Sequence, residues 1–305
     1  MHSTFTSAKP IARIGVGWAG SYVMTRAFAR WLPGEPPVAL LADMNNRMDL
    51  VASGELDLTW CFPMSRVEWA YQGHKPWPNS PWSGPGLANL RLVARITRHD
   101  CEMIAFAPWS PVQSLAEIAQ NKQVRICLRT DELYEWESAI FQQYGYTLDD
   151  IVAGGGKHWH IAPNAWEIER DIADKTVDLI IGHAAYTAPF RMVGEAGFHY
   201  VSLEEPVLQA LEKLGFTRLV VKPGDYPYVR EPINTVELND QVIVCRADVS
   251  DDVIYEITKS IDAHKKGMTD AAGGQVDPIV NQWETKVVPL HPGAERYYHQ
   301  VGYIK

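Results

Sequence analysis

Short, mostly apolar segments alternate along the chain with longer segments whose apolar residues recur at helical spacing. Clear examples of the short segments are residues 12–16, 123–128 and 177–181. A short apolar run of this kind is typical of a strand that is buried on both faces of a sheet. Because amphipathic helices connect these runs, the pattern predicts βαβ units and a mostly parallel sheet, which is an α/β protein.

The predicted helices have recognisable start and stop signals. Ser21 follows a glycine turn and is expected to be the N-cap of the first helix, and Ser114 with Glu117 forms a capping-box pattern. Gly145 is expected to end a helix over 131–144. Extended chain is predicted at 90–106 and again at 241–246. Further helices are predicted at 46–53, 164–174, 186–195, 205–214, 251–264 and 294–301.

One stretch of sequence occurs twice in similar form. Residues 51–58 read VASGELDL and residues 172–179 read IADKTVDL. Each combines a helix end, a tight turn and a strand that opens with an apolar residue, Asp and Leu. Two similar lobes would each contribute one copy, although any turn from a helix to a strand has some of these features.

The charge of the chain argues against nucleic acid and membrane partners. The formal net charge is -9 and the sequence pI is about 5.6. A negative surface repels polyphosphates and anionic lipids. A small anion still fits a cleft in which helix ends or arginines dominate locally. The 11 tryptophans supply flat faces that suit both cores and ligand platforms.

The four cysteines show no paired spacing. They are Cys61, Cys101, Cys127 and Cys245, and no C-x-x-C motif occurs. Three of them lie in apolar strand-like runs, where a thiol acts as a small hydrophobe. This distribution predicts reduced core cysteines and a reducing compartment.

The printed N-terminus has no signal-peptide pattern. Residues 1–10 contain neither an apolar stretch nor a basic cluster before one, and no apolar run reaches the ~18–20 residues that span a bilayer. Two interpretations stay open: a cytoplasmic protein, or the trimmed mature form of a periplasmic one.

Several motifs in order resemble the TAXI family of solute-binding proteins from TRAP transporters. Residues 14–22 are similar to the family's G-G-T-G-G-T-Y-Y opening, and residues 50–58 to its L-L-A-S-G-E-L-D-L. Residues 92–95 resemble its A-L-A-R before the first crossover. The most specific match is the C-terminal PLHPGAERYY at 289–298.

The resemblance implies a type II periplasmic binding protein fold. Two doubly wound lobes would be joined by two crossover strands, with residues 1–104 plus 240–305 in lobe one and 105–239 in lobe two. The ligand would sit between the lobes, which would close on it by hinge motion. The expected partners are a small organic acid and the TRAP transporter membrane subunits, with no cofactor and no metal.

A glycine-rich turn that leads into a helix offers free backbone N–H groups and a partial positive charge, which suit a carboxylate. With the resemblance, this selects a set of candidate ligand-binding residues. They are Gly17, Trp18, Ala19, Gly20, Ser21, Tyr22, Met64, Ser65, Arg95, Arg129, Thr130, Trp136, His183 and Tyr186.

The chain departs from the family at some of these positions. Trp18 replaces a small residue in the first turn, and Arg129 with Thr130 stands where small residues usually open the lobe-two helix. Residues 60–66 are bulkier than the family's V-Q-S-D stretch. The ligand pocket is therefore expected to be rebuilt, with Arg129 replacing backbone capture by a bidentate contact.

Two other groups of reactive side chains receive a structural interpretation. In an extended segment the neighbours His99, Asp100 and Cys101 point to opposite sides, so they form no ready-made catalytic dyad. His158 and His160 share one face of a strand, but a metal site needs further ligands that are not evident nearby.

His183 and Tyr186 support the alternative hypothesis of an enzyme. They follow the strand at 177–181, where its carboxyl end is expected to face the cleft. A histidine there is suited to proton transfer, with Tyr186 as its partner. The alternatives are therefore a carboxylate receptor, favoured by the family resemblance, and a cytoplasmic decarboxylase, isomerase or hydrolase of an aromatic or unsaturated acid. A cytoplasmic ligand sensor is a third.

Overall fold

The chain folds into two α/β units in a computed structural model. The structure describes residues 10–17, 19–34, 37–42, 48–73, 87–98, 100–129, 135–161, 167–183, 188–238, 241–271, 276–277, 283–285 and 287–305. Unit 1 comprises residues 1–99 and 239–305, and unit 2 comprises residues 100–238. Unit 2 is therefore one continuous segment inserted into unit 1.

Strands and helices alternate through most of the chain, as the hydrophobic pattern predicts. In chain order they are β1 (Ala12–Val16), α1 (Ala19–Ala29), β2 (Val38–Ala42), α2 (Met48–Ser53), β3 (Leu58–Cys61), α3 (Met64–Gln72), β4 (Leu90–Arg98), β5 (Met103–Phe106), α4 (Leu115–Ile118), β6 (Arg125–Leu128), α5 (Glu135–Gln143), α6 (Leu148–Ala153), β7 (Lys157–His160), α7 (Ile168–Ala173), β8 (Leu179–Gly182), α8 (Ala188–Glu195), β9 (His199–Tyr200), α9 (Glu205–Lys213), β10 (Thr217–Val221), β11 (Ile233–Glu237), β12 (Gln241–Arg246), α10 (Asp251–Ala263), α11 (Lys265–Ala271), β13 (Val276–Asp277) and α12 (Pro292–Gln300).

Unit 1 is built on a six-stranded sheet in the order β13-β4-β12-β3-β1-β2. Strand β1 is parallel to both β2 and β3, whereas β12 is antiparallel to β3 and to β4. The carboxyl ends of β1, β3 and β4 therefore share one edge of the sheet, and β12 begins there. Helices cover the sheet around a core that includes Ile14, Phe28, Leu58, Ile243 and Ile257.

Unit 2 is built on a five-stranded sheet in the order β7-β6-β8-β5-β9. Strand β6 is parallel to β7 and β8, whereas β5 is antiparallel to β8 and β9. The carboxyl ends of β6 and β8 thus meet the start of β5 at one edge. Strands β10 and β11 form a separate antiparallel ribbon. The core on one side of the sheet includes Met103, Cys127, Ile180, Phe190 and Val193.

The two sheets have the same plan. Five neighbouring strands of unit 1 have the order β2-β1-β3-β12-β4. The corresponding order in unit 2 is β7-β6-β8-β5-β9. In both sheets the fourth strand of this series runs antiparallel to the third. This order is typical of doubly wound sheets, in which the chain crosses back so that the next strand pairs on the other side of the first strand.

The repeated stretch of sequence has the same geometry in both units. The Asp57 carboxylate accepts from the backbone N–H of Arg13 at 2.8 Å and from its Nε at 3.0 Å. The Asp178 carboxylate accepts from the backbone N–H of Arg125 at 2.9 Å and from its Nε at 2.7 Å. In return, Asp57 N donates to Arg13 O and Asp178 N to Arg125 O. The repeat is therefore a structural one.

The turn that precedes each of these aspartates needs left-handed backbone. Gly54 has φ 88° in unit 1 and Lys175 has φ 54° at the equivalent position in unit 2. Each donates its N–H to the carbonyl three residues earlier, Val51 and Ile172 respectively, at 3.1 Å. Lys175 adopts this conformation without the freedom of a glycine, so the surrounding hydrogen bonds must impose it.

Two local predictions are corrected by the structure. Ser21 is not the N-cap of the first helix, because α1 already begins at Ala19 and Ser21 lies inside it. Extended chain at 90–106 is divided into β4 and β5, which belong to different units. Ser114 does cap α4, since its side chain accepts from Glu117 N, and Gly145 follows α5 with φ 78°.

Helix α3 was missed in the sequence because its buried side is not purely apolar. Arg66 is buried there beside Val67, Trp69 and Ala70. A charged residue within the apolar stripe weakens the helical pattern from which a helix is predicted. The four cysteines are buried and are not joined in disulfides, as expected. Among the described residues, no helix is long and apolar enough to cross a membrane.

Candidate functional site

Two helices of unit 1 begin at the same edge of its sheet. Helix α1 begins three residues after the end of β1, and α3 begins three residues after the end of β3. Because β1 and β3 are paired neighbours, both helix N-termini lie at the carboxyl edge of these strands. Each N-terminus presents backbone N–H groups without intrahelical partners and a partial positive charge.

Polar side chains lie at this edge of unit 1. Ser65 is in the first turn of α3, and its hydroxyl oxygen is shielded from solvent with no hydrogen-bond partner among the described residues. Arg66 beside it is buried. Gln241 opens β12 next to the end of β3, and its Oε1 is likewise shielded without a partner in the described part of the chain. Such groups are costly to bury unless a ligand or water completes them.

Arg95 lies on β4, three residues before the end of that strand. Its Nη1 is 3.6 Å from Glu284 Oε2, and its side chain is 28% exposed. A ligand carboxylate at Arg95 would therefore have to compete with Glu284. The assignment of Arg95 to the ligand stays a prediction.

The first-turn residues of unit 1 have different environments. Ser21 is buried and its carbonyl accepts from Thr25 Oγ1. Tyr22 is exposed and its ring lies beside Arg26. Gly17 and Gly20 lie at the end of β1 and in the first turn of α1, and Met64 is the first residue of α3. Trp18 lies outside the described residues, and so does the side chain of Ala19.

Unit 2 places Arg129 and His183 at the ends of adjacent parallel strands. Arg129 follows β6, and its backbone N donates to Ile181 O at 2.7 Å. Its guanidinium is fully buried, 5.9 Å from the Phe190 ring, and burial lowers the pKa of Arg129. His183 follows β8 and is 8% exposed. The other two candidates of this unit, Thr130 and Tyr186, lie outside the described residues.

Asp100 joins His183 at this edge. Its Oδ2 lies 3.4 Å from His183 Nδ1, and its Oδ1 accepts from Cys101 N at 2.9 Å. Both side chains are nearly removed from solvent. The sequence places these residues 83 positions apart, and only the antiparallel pairing of β5 with β8 brings them together. The structure thus pairs His183 with Asp100, which was not predicted from the sequence.

Glu102 is the residue at this edge that sequence reasoning missed entirely. It is 1% exposed, and its Oε2 accepts from the indole N–H of Trp136 at 3.0 Å. Burial raises the pKa of Glu102 to about 8, with a smaller contribution from the negative charge of Asp100. The sequence did contain a signal for it, the spacing of Asp100 and Glu102. Alternate residues of an extended chain lie on one side, so these two carboxyl groups could have been expected there together.

Trp136 and Cys101 are parts of the core around this edge. Trp136 is completely buried and packs edge-on against Phe216 at 5.7 Å. Its role as a ligand contact stays a prediction. Cys101 faces Tyr226, and burial raises the pKa of the thiol well above its ordinary value. A thiol in that state is a poor nucleophile.

His158 and His160 lie on β7 with their rings 6.1 Å apart in an edge-on arrangement. Among the residues that the structure describes, no group of three or more His, Cys, Asp or Glu side chains is arranged to hold a metal ion.

The two doubly wound units define the class of the protein. A type II periplasmic binding protein fold has this arrangement of sheets, and the strand order of the two units confirms the fold class predicted from the sequence. The chain belongs to the NMT1-like family, whose family model matches residues 44–302.

Solved structures are similar to this chain at low sequence identity. A Xanthomonas citri protein bound to ATP is 11% identical, with a TM-score of 0.53 over 95% of this chain and 94% of that chain. A TctC solute-binding protein from Polaromonas is 14% identical, with a TM-score of 0.44 over 99% and 100% of the two chains. An ABC transporter periplasmic substrate-binding protein from Coxiella burnetii is 13% identical, with a TM-score of 0.42 over 88% and 99%.

Proposed function

We propose that this protein is a receptor for a small organic acid and holds the ligand carboxylate at the carboxyl edge of the unit 1 sheet. One observation carries the proposal: α1 and α3 both begin at the ends of the paired strands β1 and β3, beside the shielded Ser65 hydroxyl. Two helix N-termini at one edge attract an anion without any formal charge, and Ser65 supplies a hydroxyl donor.

The electrostatics of this edge favour an anion over a neutral solute. Arg66 lies in the first turn of α3, so a buried guanidinium adds to the positive end of the helix. Unit 2 has its own buried cation, Arg129, at the corresponding edge. These cations act locally, where the net charge of -9 is a weak and screened influence. A carboxylate is the common organic anion that suits both helix ends and guanidinium groups.

The receptor would serve a TRAP transporter of the TAXI type. The order of the motifs at 14–22, 50–58 and 289–298 supports this role, and membership of the NMT1-like family agrees with a solute-binding fold. Its partners would be the transporter membrane subunits, and its place the periplasm. Cell fractionation of the native organism tests this. Recovery with the cytoplasm would leave acid binding intact and remove the transport role.

The ligand is to be identified by mass spectrometry of small molecules released from the purified protein. Ser65→Ala should weaken binding of that acid about 5-fold, the effect of one hydrogen bond of ~1 kcal/mol. Ser53→Ala is the matched control, because Ser53 is an exposed serine of unit 1 on α2. Calorimetry with equal affinities for wild type and Ser65→Ala would exclude Ser65 from the site.

A second candidate function, an enzyme acting on an organic acid, is favoured by the buried His183–Asp100 pair. A carboxylate beside Nδ1 orients the imidazole, and an oriented histidine is suited to proton transfer. His183→Asn should lower turnover of the co-purified acid ~10²–10⁴-fold with little change in its affinity. If the wild-type protein does not consume the acid, the enzyme function is excluded and the receptor function stands.

A further inference from the structure

The edge of unit 2 carries acidic groups that anion binding does not require. The pairing of β5 with β8 places Met103 opposite Gly182 at one end of the two strands. Glu102 directly precedes β5 and His183 directly follows β8, so the two residues lie next to each other at this end. Asp100 lies two residues before Glu102 and contacts His183. Two carboxyl groups and an imidazole, each at least nine-tenths buried, therefore occupy one end of the sheet.

Glu102 is held firmly in this position. Its backbone N donates to Val236 O, and its carbonyl accepts from Thr235 Oγ1. Trp136 Nε1 donates to Oε2, whereas Oε1 is shielded from solvent with no hydrogen-bond partner among the described residues. A carboxylate in such a place would give up most of its hydration for a single donor, which favours the neutral acid.

We propose that Glu102 and Asp100 form a proton-exchange site in which the pair holds one proton, and that His183 connects this pair to the carboxyl edge of the sheet. Two carboxyl groups close together in a buried place do not both ionise easily, because each negative charge opposes the other. His183 contacts Asp100 directly, with 3.4 Å between its Nδ1 and Asp100 Oδ2, so its ring is in place to exchange a proton with the pair.

The negative charge that acts on Glu102 is that of Asp100, two residues earlier on the same segment, and His183 after β8 contacts Asp100. The charge of Asp100 opposes ionisation of Glu102. In agreement with this, burial and the charge of Asp100 raise the pKa of Glu102 to about 8.

The site goes beyond the proposed function, because that function places the ligand carboxylate in unit 1 and the carboxyl pair lies in unit 2. A ligand-free experiment keeps the two proposals separate, because the protonation of Glu102 can be followed in the protein alone.

The side-chain carboxyl carbons of glutamate, labelled with ¹³C, report the proton directly. In the wild-type protein one glutamate resonance should titrate near pH 8 rather than near pH 4, and it should be missing from the spectrum of Glu102→Gln. Glu195→Gln is the matched control, since Glu195 is an exposed glutamate of unit 2. It should leave this resonance unchanged. If every glutamate of the wild-type protein titrates below pH 6, the proposal is overturned.

Trp136 reports the proton on Glu102, and Asp100 and His183 provide the readouts that a passive buried glutamate would not move. The indole N–H resonance of Trp136, assigned with Trp136→Phe, should shift with the same midpoint as Glu102. Asp100→Asn should lower that midpoint by about one pH unit or more, because a negative neighbour is removed. The ring Cε1–H resonance of His183 should show an inflection at the midpoint of Glu102. An unchanged midpoint in Asp100→Asn, or a His183 curve without this inflection, would contradict the shared site.

Discussion

At the scale of single residues, Asp57 and Asp178 show how one side chain joins two strands. Each carboxylate accepts from the backbone and the guanidinium of an arginine at the start of a neighbouring strand. Asp57 is 20% exposed and Asp178 is 1% exposed. The guanidinium holds the pKa of Asp57 below its ordinary value, so this pair adds stability above about pH 4 and loses it as the pH falls.

The difference in burial predicts unequal costs for the same substitution. Asp178→Asn should destabilise the protein by about 3 kcal/mol, since it leaves the arginine partner of a buried carboxylate uncompensated. Asp57→Asn should cost about 1–2 kcal/mol, because water reaches both partners of that pair. Urea unfolding followed by circular dichroism measures both. Equal costs would show that burial does not set the strength of these pairs.

At the scale of elements, the C-terminal PLHPGAERYY motif is explained by the packing of α12. His291 caps this helix, since its Nδ1 accepts from Gly293 N at 3.1 Å. Burial lowers the pKa of His291, which favours the neutral ring that can accept this bond. Tyr298 donates its hydroxyl to Val93 O and is fully buried. The motif therefore fixes α12 onto α10 and β4, so its best matched residues are structural.

Gly293 is the residue of this motif that tolerates least change. A Cβ added there would overlap the carbonyl of Asp251 and lie 2.9 Å from Tyr255 N, both of them backbone atoms of α10. Gly293→Ala should therefore force α12 and α10 apart and lower the free energy of unfolding by about 2–3 kcal/mol.

Gly267 on α11 is the matched control for Gly293. Nothing lies within 4 Å of a Cβ added at Gly267. Gly267→Ala should raise stability by about 0.5–1 kcal/mol, because alanine loses less backbone freedom in a helix. Thermal unfolding compares the two variants, and a stabilised Gly293→Ala would disprove the close packing of α12 on α10.

At the scale of the whole molecule, unit 2 has the properties of an independent domain. It is continuous from 100 to 238, has its own sheet and core, and its two ends pair with each other. Leu238 N donates to Asp100 O at 2.9 Å, and Cys101 forms a bridge with Glu237. A segment whose two ends are bonded to each other has the chain path of an inserted domain, which is expected to fold by itself.

Residues 100–238 expressed alone should therefore fold. The fragment should unfold cooperatively in urea and keep the indole N–H shift of Trp136 that marks its bond to Glu102. Ile180→Ala, which opens a cavity in its core, should lower the unfolding midpoint of both the fragment and the full chain. A fragment without cooperative unfolding would show that unit 2 depends on the rest of the chain.

The sequence by itself determined the fold class and most of the elements, because strand and helix periods are local and depend on burial alone. Strands β1 and β12 have the predicted bounds, and the echo at 51–58 and 172–179 is a repeated structure. Helix α3 was not predicted from the sequence, because Arg66 interrupts its apolar stripe. The candidate His183 was found from its place after a strand, and Arg129 from its departure from the family pattern.

Only the tertiary structure decided which distant groups meet. The Asp100–His183 pair depends on the register of β5 with β8, and the bond from Trp136 to Glu102 depends on how α5 packs on the sheet. The convergence of α1 and α3 depends on β1 and β3 being neighbours. Register and strand order are set by the packing of whole faces, which no local pattern contains. The sequence therefore identifies the charged residues of a site, whereas their partners are known only from the tertiary structure.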